Sequence, residues 1–230
     1  VDMRTGLRVA TDSITLHGKT FPVISPDQPH KHLGLRMALN GDFSAEKAHV
    51  CSTMKRRLDA LAEDRVLAQK EKEVIIYTAV CSVFRYSAGF VDWSKAELDS
   101  ISRMWARAYK RAWTLPGSMD TSPIILGQPE GGRGCPSAIS LWTREVFDVI
   151  EQCVSLPGEI SRIVTHYMQE QCVAHGCHTL NQLQLLLRVA GKADSVLELF
   201  LLRMDEQGLE ISSPWAVSYT HLTLPTNREV

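Results

Sequence analysis

His30-Lys31-His32-Leu33-Gly34-Leu35-Arg36-Met37 closes an extended, proline-marked segment and leads toward a long amphipathic helix. Upstream of it, Ile14-Thr15-Leu16-His17-Gly18-Lys19-Thr20-Phe21-Pro22-Val23-Ile24 has two β-prone stretches around Gly18-Lys19, which predicts a small hairpin turning at that pair. Pro22, Pro26 and Pro29 exclude helix and hold the chain extended up to Lys31. Past Gly34, the alternation of Leu35, Met37 and Leu39 predicts one more short strand, ended by Asn40-Gly41-Asp42. Gly34 stands where a backbone must bend or come close to something. These residues make a sheet edge that feeds helices.

From Ser44 onward the pattern is helical. Ser44 is a candidate cap for a helix to about residue 62, with Val50, Met54, Leu58 and Leu61 on one face. A second helix is expected over 70–88. Ser94 with Glu97 forms a capping box for a third, over 94–113. Further helices are expected over 137–154, 159–174, 180–189 and 194–207, with Thr179 and Gln182 as a second capping box and Gly191 as a stop. In the last of these, Val196, Leu197, Leu199, Phe200, Leu201, Leu202 and Met204 are apolar nearly all round. Such a helix must be buried or find a partner, and the expectation is that a missing portion of a longer chain packs there.

Composition excludes some classes. The chain has 230 residues, 44% hydrophobic and 22% charged, enough for one or two helical cores. A net charge of -1 carries no global nucleic-acid signature, so any such binding needs a local patch. Six cysteines at 51, 81, 135, 153, 172 and 177 follow no regular frame, and no signal peptide precedes them. Reduced thiols and an intracellular setting, nuclear or cytoplasmic, are the expectation. No apolar run approaches the roughly 20 residues needed to cross a bilayer. The chain opens on Val1 rather than methionine, which suits a piece of a longer protein.

The best candidate for a local patch is the third helix. Leu98, Ile101, Trp105, Tyr109 and Ala112 share one face at helical spacing, and Arg103, Arg107, Lys110 and Arg111 are expected on the opposite one. A helix with one buried and one basic stripe can lie along a duplex and contact phosphates without reading bases. An ordinary solvated face is the plain alternative. Trp105 and Tyr109 are most simply core. On the first helix Lys55-Arg56-Arg57 is a smaller basic cluster, of which at most two can address one phosphate track, and solvation is again the plainer account. His166, Cys172, His175, Cys177 and His178 invite a zinc hypothesis, but no second clean pair completes a tetrahedral set. A helix-loop-helix junction with a partly buried cysteine is the preferred reading there, and no metal ligands are assigned.

Two blocks carry a family resemblance. Lys31-His32-Leu33-Gly34, after its hairpin, resembles the "Lys-Tyr-Leu-Gly" stretch at the end of the palm in reverse transcriptases of non-LTR retrotransposons, with His32 in place of the tyrosine. After the third helix, Leu115-Pro116-Gly117-Ser118, then Ser122-Pro123-Ile124-Ile125-Leu126-Gly127, then Glu130-Gly131-Gly132-Arg133-Gly134-Cys135-Pro136-Ser137 is similar to that family's "Leu-Pro" exit, apolar segment and "Gly-Gly-Leu-Gly-Leu-Pro" turn. Arg133 and Cys135 depart from its leucines. The resemblance spans about residues 14–190.

It implies a mainly α fold: the end of a palm with a primer-grip-like β segment over 1–42, thumb-like helices over 43–135, and a post-thumb helical region over 136–210. It implies an RNA template and DNA primer duplex as partner, and upstream palm and fingers in the parent protein. Lys31, His32 and Gly34 would border the primer backbone, and Lys55, Arg103, Arg107, Lys110 and Arg111 would meet phosphates. The family's aromatic-x-Asp-Asp motif, which holds the two divalent metals of the reaction, does not occur in this sequence. Asp12 and Asp27 are isolated and Asp92 adjoins Trp93, so the catalytic aspartates would lie upstream of Val1. No catalytic residue and no cofactor is therefore assigned to this chain, Mg2+ belonging to the full-length polymerase. The last residues, 216–230, are similar to translated sequencing-adapter readthrough and are expected to be non-native. The rival readings are a helical protein-interaction module without nucleic-acid function, and a decayed element.

Overall fold

A computed structural model describes residues 13–23 and 25–211. Asp12 and the expected non-native tail lie outside these. The described chain is mainly helical, with two antiparallel strand pairs toward its start. Two compact units divide between His49 and Val50, inside helix α1 (Ser44–Glu63).

In the first unit β1 (Ser13–Leu16) pairs with β2 (Lys19–Pro22), and Leu16 faces Lys19. The turn is therefore His17-Gly18, with φ of 48° and 74°, one residue ahead of the expected pair. A type I′ hairpin loop requires positive φ at both central positions, and this register provides it. The larger correction concerns residues 30–37. They are not an extended lead into a single strand but a second hairpin: β3 (His30–His32) pairs with β4 (Leu35–Met37) around Leu33-Gly34, whose φ values are 46° and 95°. Leu39 falls outside the strand and is exposed. Ser44 is the first residue of helix α1 rather than its cap, and the Asp42 carboxylate ahead of it takes both its backbone N–H, at 2.8 Å, and its hydroxyl. That pairing, with the Ser44 hydroxyl its largest cause, holds the exposed Asp42 carboxyl below its usual range. Glu46, nearly fully buried, accepts the backbone N–H of Arg36 at 2.9 Å and its guanidinium at 3.4 Å.

The second unit is a helical core. The helix expected over 70–88 is broken into α2 (Gln69–Ile75), a π turn (Ile76–Val80) and α3 (Cys81–Ala88). Widening to a π turn loosens the carbonyl ladder, and Arg57 of α1 donates its guanidinium to the Ala79 carbonyl there. Helix α4 (Lys95–Ala112) packs on α2 and on α6 (Ala138–Ser155), and α6 packs on α3. At their centre Phe84 meets Trp93 at 5.4 Å and Trp105 at 5.6 Å between ring centroids, and the Trp142 indole N–H donates to the Val91 carbonyl at 3.1 Å. Burying aromatics of this size dominates the energetics of a small core.

Between α4 and α6 the short helix α5 (Ser122–Ile125) and the glycine-rich turn fold onto each other. Gly134 and Cys135 donate to the carbonyls of Leu126 and Ile124 at 2.8 and 2.9 Å. A Cβ on Gly132 would lie 2.0 Å from the Leu126 carbonyl oxygen, so only glycine fits. Helices α7 (Glu159–Ala174), α8 (Leu180–Ala190) and α9 (Val196–Glu206) complete the unit. The Thr179 hydroxyl accepts the Gln182 N–H at 3.2 Å, but the Gln182 side chain accepts the N–H of His178 rather than that of Thr179, so the expected capping box is half formed; Gly191 ends α8 at φ 64°. The apolar α9 packs on α8 and α6 within the chain, with Leu197, Phe200, Leu201 and Met204 buried, Leu199 and Leu202 half-buried and Val196 exposed.

Candidate nucleic-acid interface

The start of α4 is fixed by the capping box expected from sequence: the Ser94 hydroxyl accepts the Glu97 N–H at 3.3 Å and the Glu97 carboxylate accepts the Ser94 N–H at 2.7 Å. That sets the rotation of the helix. Leu98, Ile101, Trp105, Tyr109 and Ala112 are buried, and Tyr109, desolvated, has its phenol pushed well up. On the other side Arg103, Arg107 and Arg111 are exposed. Four residues apart, they rise in steps of about 6 Å along the helix. No hydrogen bond or ion pair holds any of the three among the described residues. Like charges four apart oppose each other by about 0.2–0.5 kcal/mol per pair, a cost that an anion laid along the stripe would reverse. Arg111, in the last turn, also meets the negative end of the helix dipole.

Lys110 does not belong to this face. It is 7% exposed, and its ammonium donates to the carbonyls of Gly117, at 3.2 Å, and Met119. The physical reason is the chain's return after the Leu115-Pro116 exit, which brings loop carbonyls over the end of the helix and captures the one cation nearest the buried side.

Nothing in the local pattern marks Arg133 as a contact, yet its guanidinium stacks on Trp113, 3.7 Å from the ring centroid, beside the end of α4. Arg133 is exposed, so the pair adds a cation on an aromatic platform. Trp113 and Arg133 are 20 residues apart, beyond the reach of any local pattern.

On α1, Lys55 and Arg56 are exposed, and Arg57 is held by the Ala79 carbonyl. In the first unit Lys31 and His32 are exposed on β3, and Gly34 lies in the hairpin turn. Lys31 faces Arg36 across the hairpin; directly opposed like charges destabilise a strand pair, and Glu46 offsets this by binding Arg36.

The histidine and cysteine group sits at the junction of α7 and α8. Cys172 and Cys177 are buried. His175 lies 3.0 Å from the Glu198 carboxylate, and His166 pairs with Glu170 one turn on at 3.2 Å. Among the described residues no group of three or more His, Cys, Asp or Glu is arranged to hold a metal ion. Burial pushes the Cys81 and Cys135 thiols up to about 12, which leaves them un-ionised packing groups. Among the described residues no helix is long and apolar enough to cross a membrane.

No protein-family model, curated protein or solved structure matches the chain.

Proposed function

We propose that the chain is a piece of an RNA-directed DNA polymerase of the non-LTR retrotransposon kind, one that grips the template-primer duplex through phosphates and is inactive without the upstream palm. The observation that supports this most is the unpaired stripe of Arg103, Arg107 and Arg111 opposite the buried face of α4. Three guanidiniums in a row match a row of phosphates, each contact positioning the duplex without reading its sequence. Lys31, His32 and Gly34, by resemblance, and Lys55 would extend the same role. Lys110 is withdrawn from it by its burial.

The test is binding of an RNA–DNA hybrid by fluorescence anisotropy. Double charge reversal, Arg103→Glu with Arg107→Glu, lowers affinity by tenfold or more, on the order of 1.4 kcal/mol or above. Unchanged affinity overturns the reading.

A second reading is a helical protein-interaction module. It is favoured by α7, where Ile160, Ile163 and Tyr167 are 59%, 61% and 39% exposed at helical spacing. Binding through that face would be insensitive to salt and to both arginines.

A further inference from the structure

The C-terminus of α7 ends in a Schellman turn. Cys177 donates its backbone N–H to the Cys172 carbonyl at 2.8 Å, Gly176 donates to the Val173 carbonyl at 3.0 Å, and Gly176 has φ 66°. In this motif the first and last residues of the turn frequently pack their side chains together, and here both are cysteines. The 2.8 Å bond and standard bond lengths cap their Cα separation at about 6.7 Å, inside the 4.4–6.8 Å range that disulfides occupy. Both side chains are buried, at 4% and 9% exposure, and both thiols are free. Burial first, and then the neighbouring Cys177, push the Cys172 thiol up, as two thiols in one pocket would.

We propose that Cys172 and Cys177 form a thiol–disulfide exchange site, closed by a low-molecular-weight disulfide such as oxidised glutathione. The Cys177 thiolate attacks one sulfur of glutathione disulfide, breaking its S–S bond and releasing one glutathione thiolate. The Cys172 thiol, its proton passing to the departing sulfur, then attacks the Cys177 sulfur of the mixed disulfide and releases the second. The two protons given up by the cysteines end on the two glutathiones, so two protein thiols are oxidised and one glutathione disulfide is reduced. The product ties the last turn of α7 to the first residues beyond it. His175, inside the same loop, keeps its contact with Glu198 of α9, so the closed turn remains anchored to the rest of the unit.

Exposure and geometry predict different outcomes. Cys51 and Cys153 are more exposed than either member of the pair, so exposure alone would oxidise them first. Turn geometry instead favours intramolecular closure at Cys172 and Cys177.

The folded chain is equilibrated in a graded series of glutathione redox buffers, quenched with N-ethylmaleimide and cut with trypsin. Residues 163–188 leave as one peptide carrying both cysteines and no other. The expected product is this peptide, unalkylated and about 2 Da lighter than its dithiol, appearing before any modification of Cys51 or Cys153. Cys172→Ser and Cys177→Ser each abolish it and leave the remaining thiol as a glutathione adduct. Gly176→Val, whose helicity is checked by circular dichroism, lowers the closing constant by about tenfold, because a β-branched residue resists positive φ. Separate alkylation or separate glutathionylation of both cysteines in the folded wild-type chain would overturn the proposal. So would equal closure in Gly176→Val.

Discussion

The ammonium of Lys110 lies 3.2 Å from the carbonyl oxygen of Gly117, and this contact separates scaffold from surface on a helix whose cations look alike in sequence. Lys110 is buried, whereas Arg103, about two turns earlier, is exposed. Substitutions at the two positions should have opposite effects. Lys110→Met keeps the stem but leaves two loop carbonyls without a donor, which destabilises by about 1–3 kcal/mol with duplex affinity unchanged. Arg103→Met leaves urea stability within about 0.5 kcal/mol and weakens duplex binding. Urea titration and anisotropy on both variants check the crossing. Loss of binding in Lys110→Met at intact stability would contradict it.

Gly132 tests the glycine-rich turn. A Cβ there meets the Leu126 carbonyl oxygen at 2.0 Å and its carbon at 2.4 Å, whereas one on Gly117 meets nothing within 4 Å. Gly132→Ala should cost about 1–3 kcal/mol through overpacking, and Gly117→Ala should stay within about 0.5 kcal/mol. Thermal melts of the pair read this directly, and equal melting temperatures would refute the close approach.

Glu198 gives the pH dependence. Burial pushes its carboxyl up, but this is outweighed by the Asp194 N–H at 2.7 Å and the His175 ring at 3.0 Å, together with Ser195, so the group sits below the ordinary glutamate value. A carboxyl whose folded value is lowered contributes its full stability above the unfolded value and loses it as pH falls through the folded one. Glu198→Gln should therefore cost about 1–2 kcal/mol at neutral pH and flatten the acid limb of the stability curve. Urea melts from about pH 3 to 7 measure it; parallel curves for the two proteins would rule the linkage out.

Legibility in the sequence followed the range of the interaction. Caps set by neighbours, Ser94 with Glu97 and Thr179 with Gln182, were readable because donor and acceptor are three residues apart. The apolar stripe of α4 was readable for the same reason, periodicity being local. The π turn at Ile76–Val80 was not, since its carbonyl partner Arg57 is 22 residues away. Nor was the withdrawal of Lys110: a helical wheel gives an angle, and only the returning loop decides which cation near that angle is captured. The hairpin at β3 and β4 was half legible. Its glycine marks the bend, but the pairing of His30 with Met37 depends on register rather than on composition.

The central claim is that the α4 arginines neutralise phosphates, and the slope of affinity against salt tests it most directly. If each of the three binds one phosphate, log affinity for an RNA–DNA hybrid falls against log salt with a slope of about -2 to -3. Arg107→Ala then reduces the slope by about 1. An affinity that stays flat between roughly 50 and 200 mM salt, or a slope that the substitution does not change, would contradict the account.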